Sequence, residues 1–302
     1  MAVSTKTIKK SIRSIGSTKK ITKAMEMISA AKMRKAVNSV LASRPYSQNA
    51  WTLVVNLAKK VTNAYHPLLQ KPQQVNNIAV ILVTASRGFC GGYNSQIISQ
   101  AINFAKTEKE NNPEVKIHWL TVGKKGSEFL VRNGQSVTAE FTKSEVVSNS
   151  AEASPLAKMV VKDFNQGIYD KVMVAYTDYY SALVQKPKIK QLLPLEPTVD
   201  ADLGNVGSTS ENLPADNLEY LFEPNPAEVL NRFLPHLIEV QLYQAYLEAS
   251  ASEQSARMMA MKNASSAASD MIAALTLAYN QARQASITRE IAEITGGKAA
   301  LE

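Results

Sequence analysis

The stretch SRGFCGGYN, residues 86–94, holds the residue types of this sequence that are best placed to do chemistry. It follows a buried-strand pattern and precedes a helical one, which is where phosphate-binding loops lie in α/β proteins. The stretch lacks the Lys-Ser/Thr pair of a P-loop, however, and its glycines do not have the spacing of a dinucleotide fingerprint. The sequence therefore favours a tight strand-to-helix turn, with Arg87, Gly88, Cys90 and Gly91 at its centre.

The cysteine and histidine residues give no further sign of a catalytic or metal site. Cys90 is the only cysteine, so it has no disulfide partner within the chain and fits a reducing compartment. A thiol nucleophile needs a nearby base, yet His66, His118 and His236 are far from Cys90 and from one another in sequence. No carboxylate pair, Ser-His arrangement or metal-ligand spacing stands out elsewhere. The residues therefore give no positive reason to propose an active site, a metal or a cofactor, but they do not exclude an enzyme, because catalytic residues are often distant in sequence.

The positive charge of the chain is concentrated in its first 35 residues. The chain as a whole carries a net charge of +8, and residues 1–35 contribute ten basic side chains against the single acid Glu26. Such a segment could bind nucleic acid, serve as a targeting peptide, or lie against an acidic protein partner. The helical pattern continues through residue 36, which argues against a transit peptide, and residues 1–36 contain no aromatic side chain for base stacking.

Both ends of the chain have the pattern of very long helices. Residues 17–44 and 236–295 contain neither Gly nor Pro, and the second run would span about 90 Å as a helix. Its apolar and small residues recur at alternating steps of four and three, which is the seam of a coiled coil. The expected seam is made by Met271, Leu275, Ala278, Ala282 and Ala285. The simplest arrangement is an antiparallel coiled coil of the two terminal segments.

The apolar residues of the N-terminal helix are scattered around its circumference. Ile21, Met25 and Ile28 share a face that we expect to pack on the C-terminal helix, whereas Met27 and Met33 should leave that seam. Methionine is flexible enough to lie against a partner that changes shape. The pattern thus predicts a helix without a purely solvent-exposed side. The isoleucines at 8, 12 and 15 lie on another face, which suggests a stutter or a change of neighbours.

The middle of the chain alternates between strand and helix patterns. Strands are expected at 77–86, 115–123 and 170–179, with helices at 93–110, from 124, and at 155–167. This alternation predicts a Rossmann-like α/β domain with a mostly parallel sheet. The predicted division is an N-terminal helix at 1–60, the α/β domain at 75–200, an acidic loop at 201–225 and a C-terminal helix at 226–302. No run is long and apolar enough for a membrane span, so any link to a membrane should come through partners.

From the residues alone the chain is best described as a coiled-coil interaction protein. The basic helix leaves a nucleic-acid-binding or scaffold protein as the alternative, which predicts binding that weakens steeply with salt. A Rossmann-type enzyme is a further alternative, although residues 86–94 are poorly equipped to bind its ligand.

Taken together, several stretches resemble the γ subunit of F-type ATP synthase. They cover the whole chain in order and are ITKAMEMISAAKMRKA (21–36), SRPY (43–46), SRGFCGGYN (86–94), QLLPL (191–195), YLFEPNP (220–226), ASEQSARMMAMKNAS (251–265) and YNQARQASITREIAEITGG (279–297). The sequence departs from the family pattern at Ser86, usually Asp, and at Phe89, usually Leu. It also lacks the Cys-bearing insertion of the photosynthetic forms, so thiol regulation is not expected.

The resemblance implies a mechanical role. The coiled coil would rotate within a ring of three α and three β subunits and couple ion flow to ATP synthesis or hydrolysis. Arg283 and Gln284 would catch a β loop, with Thr288 and Glu290 close by on the same helix. The remaining implied shaft contacts with the moving β lobes are Lys23, Met25 and Arg257.

The resemblance also implies partners at the other end of the shaft and a location in the cell. The foot of the coiled coil and the α/β domain would bind the ε subunit and the c-ring, and residues 296–301 would sit in an apolar bearing. We expect a peripheral position on the cytoplasmic face of a bacterial inner membrane, without membrane insertion and without nucleic acid.

Overall fold

The terminal segments of the chain form two very long helices. A computed structural model of the protein describes residues 5–60, 66–147, 149–195, 223 and 226–299. Helix α1 runs from Thr5 to Lys60 and helix α5 from Pro226 to Ala299. Each passes through one proline, Pro45 or Pro235, which removes a single backbone hydrogen bond from the helical ladder. The chain divides into a small unit, residues 1–28 with 258–302, and a large unit, residues 29–257.

The large unit contains a five-stranded sheet with helices between its strands. The strand order is β3-β2-β1-β4-β5, in which the first four strands are parallel and β5 is antiparallel to β4. The strands are β1 Asn77–Val83, β2 Lys116–Val122, β3 Val137–Phe141, β4 Lys171–Tyr179 and β5 Gln185–Leu193. The helices of this domain are α2 Tyr93–Asn111, α3 Lys124–Arg132 and α4 Ser154–Asn165. The fold class expected from the sequence, two terminal helices around a mostly parallel α/β domain, is confirmed.

Strand β1 is buried on both faces, which explains its continuous apolar sequence. Ile78, Val80 and Leu82 join a core with residues of α2 and α3 on one face of the sheet. The alternate residues of the strand, including Ile81, point to the other face of the sheet. They join a second core with residues of α1, α4 and α5, and this core includes Leu242 of α5. Two cores of this kind hold the sheet between layers of helices.

Two strands of the sheet differ from what the sequence pattern predicts. Strand β3 has only five residues and is partly exposed, so it lacks a buried-strand signature. Strand β5 has the sequence QKPKIKQLL, in which Lys186, Lys188 and Lys190 alternate with other residues and Pro187 interrupts the run of donors. Both are edge strands, and edge strands tolerate the Pro and Lys residues that argue against a central strand.

Within the large unit, α1 and α5 pack antiparallel. The Ser43 hydroxyl donates to Gln244 Oε1 at 2.7 Å, and Tyr46 Oη lies 2.9 Å from His236 Nε2. Residue numbers therefore increase along α1 in the direction in which they decrease along α5. The antiparallel pairing expected from the sequence is seen here.

The buried stripe of α1 follows a different face from the one that we expected. Ile21 and Ile28 are 61% and 55% exposed, whereas Thr22 and Ser29 are buried. The buried and half-buried side chains recur at steps of four and three at positions 8, 12, 15, 19, 22, 26, 29, 33, 36 and 40. The stripe that begins at Ile8 therefore continues without a stutter, with small polar residues at several of its positions. Small side chains suit these positions because they allow two helices to approach closely. Met27 is exposed as predicted, but Met33 is half-buried and on the stripe.

The stripe of α5 in the small unit agrees with the prediction in part. Leu275, Ala278 and Ala282 are half-buried, whereas Met271 and Ala285 are exposed. Ile272 is half-buried at the position expected for Met271. Among the residues up to 295, whose burial the structure describes, the last half-buried one is Ala282. All residues from 283 to 295 are exposed.

Candidate functional site

The loop between β1 and α2 is a tight turn with two residues in the left-handed region. Phe89 has φ of 63° and Gly91 has φ of 55°, and only the glycine adopts such a value without strain. The Phe89 ring is 70% exposed. Inside the turn, Asn94 Oδ1 accepts a hydrogen bond from the Ala85 amide at 2.9 Å, which closes the loop onto the first turn of α2.

Helix α5 holds this loop through Arg257. The Arg257 guanidinium donates to the carbonyl oxygens of Arg87 and Gly88, both at 3.3 Å, and to Glu253 Oε1 at 2.9 Å. The residue is only 7% exposed. Its guanidinium is used inside the large unit, and the shaft contact that the resemblance implies for Arg257 stays a prediction. The sequence-predicted residues Arg87, Gly88 and Arg257 are thus brought together.

A buried ion pair between Lys143 and Glu253 lies next to Arg257. Lys143 Nζ lies 2.9 Å from Glu253 Oε2, and both side chains are almost completely buried. The Glu253 carboxylate therefore has a cation on each oxygen, which compensates for the cost of removing it from water. The sequence pattern did not reveal either ion pair of Glu253. The four-residue spacing of Glu253 and Arg257 on one helix was a signal for their pairing, since such residues face each other, whereas Lys143 is distant in sequence and gave no signal.

Glu145 ties the loop to α1. Its carboxylate pairs with Arg87 Nη1 at 2.8 Å and also accepts from Lys32 Nζ on α1. The hydrogen bond from Lys32, with the nearby positive charges, lowers the pKa of the Glu145 carboxyl. Its backbone carbonyl accepts from Ser250 and Gln254 of α5 at 3.0 and 3.1 Å. One short segment therefore contacts the β1–α2 loop and both long helices.

Cys90 has the environment of a packing residue. It is buried in a small cluster with Ala85 and Tyr93, and Asn94 Nδ2 lies 3.2 Å from its sulfur. Burial raises the pKa of the Cys90 thiol, and the positive charge of Arg257 only partly offsets this effect. A thiol with a raised pKa is a poor nucleophile at neutral pH.

The other predicted site residues lie in the small unit. Lys23 is exposed and pairs with Glu26 at 2.9 Å, and Met25 is half-buried. The remaining predicted contacts, Arg283, Gln284, Thr288 and Glu290, are all exposed on the last part of α5. The structure therefore separates the predicted residues into a loop cluster around Arg257 and an open helical surface. Contact of either group with a partner stays a prediction.

The described residues contain neither a cluster of metal-ligating side chains nor a helix that could cross a membrane. No three His, Cys, Asp or Glu side chains in the described part of the chain come together as a metal site. Among the helices of the described residues, none combines the length and apolar character needed to cross a membrane.

Two long terminal helices with an α/β domain between them in sequence, and an uncovered helix end, define a helical stalk protein. The ATP synthase family model matches residues 4–301. The ATP synthase gamma chain of Pelotomaculum thermopropionicum is 41% identical over 295 residues and 98% of each chain. The chain belongs to the ATP synthase gamma-chain family.

Solved structures of ATP synthases give the same result. The central stalk and c-ring structure of the Tetrahymena thermophila mitochondrial ATP synthase contains a chain that is 26% identical, with a TM-score of 0.59 over 81% of this chain and 99% of that one. The rotor of the Euglena gracilis mitochondrial enzyme matches with a TM-score of 0.63 and 18% identity, over 94% and 98% of the two chains, which supports the fold. The protein is a central-stalk subunit of a rotary ATP synthase.

Proposed function

We propose that this stalk subunit turns inside a ring of three α and three β subunits and couples ion flow to ATP synthesis or hydrolysis. The observation that supports the proposal is the exposed apolar surface on the last part of α5. Ile287, Ile291 and Ile294 follow one another at steps of four and three and are 48%, 59% and 74% exposed. An apolar stripe of this kind is costly in water and is typical of a surface that another protein covers. A surrounding ring would cover it.

The exposed residues of α1 in the small unit support the same arrangement. Ile21 and Met27 leave apolar surface uncovered beside a set of lysines and arginines. The exposed basic residues of this part of α1 are Lys6, Lys9, Lys10, Arg13, Lys20 and Lys23. Solvated ion pairs with an acidic partner are worth about 0–1 kcal/mol each, so they would attract the ring without fixing the shaft at one angle.

The individual contacts follow from this proposal and the family resemblance. Arg283 and Gln284 would meet a loop of a β subunit, and Thr288 and Glu290 would extend that contact. Their exposure beyond the last half-buried residue of α5, Ala282, supports this assignment. Lys23 and Met25 would meet the moving lobes of the β subunits.

The partners at the other end would be the ε subunit and the c-ring. We assign the ring of three α and three β subunits, ε and the c-ring as the binding partners, and we place the chain peripherally on the cytoplasmic face of a bacterial inner membrane. The c-ring that accompanies the central stalk in the Tetrahymena thermophila structure supports this assignment.

The proposal is tested by watching the chain rotate in an assembled complex. The chain is co-expressed with the α and β subunits of its own source, with Cys90 replaced by Ala and Leu183, an exposed residue of the β4–β5 turn, replaced by Cys to attach a bead. We expect the bead to rotate in one direction when ATP is added. A complex that hydrolyses ATP at the full rate without this chain, or one in which the bead stays still during hydrolysis, would overturn the proposal.

A control separates loss of assembly from loss of rotation. Removal of residues 283–302 should leave the large unit folded, because the described hydrogen bonds and ion pairs of the loop cluster all join residues that remain. We expect coupled activity to fall in this variant, whereas the single change Arg289→Ala in the same exposed stretch should leave it nearly unchanged.

A further inference from the structure

Two carboxyl groups meet in the interior of the large unit, away from the loop cluster. Glu248 of α5 is completely buried, and Asp178 of β4 is 3% exposed. Asp178 lies on the face of β4 that packs on α5, because Val174 and Tyr176 of that face share a core with α5 residues. Glu248 Oε2 is buried and accepts no hydrogen bond from a described donor, and the Asp178 carboxyl is its acidic neighbour. The Ser252 hydroxyl, one turn further along α5, donates to the Thr177 carbonyl at 3.0 Å. The two carboxyl groups therefore sit where α5 packs directly on β4.

The charged groups around this pair come from every element packed against it. Arg44 of α1 and Lys188 of β5 are close enough to affect the carboxyl groups electrostatically. On α5 itself, Gln244 Nε2 donates to Glu248 Oε1 at 3.1 Å. Because Ser43 of α1 donates to the other side of the same Gln244 amide, Glu248 is linked to both α1 and β4.

The surroundings of Glu248 contrast with those of Glu253. Glu253 has Lys143 on one oxygen and Arg257 on the other, so its charge is compensated directly. Glu248 instead accepts a hydrogen bond from the Gln244 amide on Oε1, and its Oε2 has no donor among the described residues. Two adjacent carboxylates in a medium of low dielectric repel each other strongly, and one proton shared between them removes the repulsion.

We propose that Asp178 and Glu248 share one proton in the folded protein, and that this proton fastens α5 to β4 until alkaline solution removes it. The carboxylic acid donates a hydrogen bond to the neighbouring carboxylate, which joins the helix to the sheet. Without the proton, two buried negative charges face each other across the helix–sheet contact. The packing of α5 on β4 is then weakened from within.

The direction of the pH effect follows from burial. Burial, with the adjacent Asp178 charge, raises the pKa of Glu248 to about 8, whereas an exposed Glu titrates near 4.5. A raised folded-state value gives stability that is fully present below the unfolded value and is lost as pH rises through the folded value. Between the two values, the unfolding equilibrium constant should rise about tenfold per pH unit for the one proton involved.

The test compares urea unfolding of the full chain with that of Glu248→Gln at several pH values. The glutamine keeps a hydrogen-bond donor toward Asp178 but cannot lose a proton. We expect the ratio of the unfolding constants, wild type over variant, to rise about tenfold per pH unit between about pH 5 and pH 8 and then to level off. Glu239→Gln, a half-buried change on the same helix, is the matched control and should follow the wild type.

A second measurement keeps the proposal falsifiable if the variant does not fold. Infrared spectroscopy of the wild-type chain at neutral pH should show the carbonyl band of a protonated carboxylic acid, and this band should disappear as the pH is raised. Asp178→Asn should remove the band as well. Absence of the band at neutral pH, or an equal pH dependence of the wild type and Glu248→Gln, would overturn the proposal.

Discussion

Helix α5 contains two stretches of similar composition and opposite environment. Every side chain from Leu237 to Met261 is buried or half-buried, including Glu248 and Glu253, whereas from residue 262 to 295 only one stripe is covered. Both stretches are rich in Ala, Ser and charged residues. The role of a polar helical residue therefore depends on what surrounds it, because the same side chain can be a buried anchor or an exposed contact.

The largest difference between the two stretches should appear when a buried charge is removed. Glu253→Ala leaves Lys143 and Arg257 without their shared carboxylate, and loss of one partner of a buried ion pair costs about 3–5 kcal/mol. Glu290→Ala, the same change in the exposed stretch, should leave stability nearly unchanged. Urea unfolding of the full chain measures both. Similar losses in the two variants would contradict the proposed contrast.

Two leucine variants compare the buried and the exposed stretch of α5 without changing a charge. Leu242 is completely buried and Leu277 is 61% exposed on the same helix. We expect Leu242→Ala to reduce the free energy of unfolding by about 2–5 kcal/mol, since it removes transfer energy and leaves a cavity. Leu277→Ala should change it by less than about 0.5 kcal/mol. A large loss at Leu277 would mean that this face is covered in the isolated chain.

A smaller effect is expected where α1 contacts the segment after β3. The hydrogen bond from Lys32 lowers the pKa of Glu145, so this interaction contributes stability above the unfolded pKa and loses it as pH falls through the folded value. Both side chains are partly exposed, so Lys32→Met should cost only about 0–1 kcal/mol at pH 7. Its difference from the wild type should vanish in acid. A difference that persists once Glu145 is protonated in the folded chain would assign the effect to packing.

The smallest effect on stability should come from the exposed stretch, where function is expected to suffer instead. The double change Arg283→Ala with Gln284→Ala should leave the urea midpoint of the chain unchanged, because both side chains are exposed. In the assembled complex we expect ATP-driven ion pumping to fall severalfold. Arg289→Ala is the matched control. Normal pumping by the double variant would remove these residues from the proposed contact with a β subunit.

Most of the architecture could be predicted from sequence periodicity. The apolar run of β1 and the long Gly- and Pro-free segments predict their elements because many residues agree on one period. The predicted seam of α1 lies on the wrong face of the helix for a physical reason. Periodicity gives weight to Ile21 and Ile28, whereas close helix packing selects the small side chains of Thr22 and Ser29.

The candidate site was predictable only in part. Arg87 and Gly88 belong to a recognisable turn, but nothing local in the sequence shows that the Arg257 guanidinium binds their carbonyl oxygens from a helix 170 residues away. Lys143 and Glu253 likewise look like ordinary surface residues until the fold buries them. Buried ion pairs depend on long-range packing, which a helical pattern does not encode.

The composition of β5 affects how readily the chain aggregates before it assembles with its partners. An edge strand offers unpaired amide and carbonyl groups that could recruit the edge of another molecule. The lysines of β5 would repel a second copy of the same strand, and Pro187 offers no donor to it. A subunit that must wait for assembly with an uncovered apolar helix is thereby protected from aggregation at the edge of its sheet.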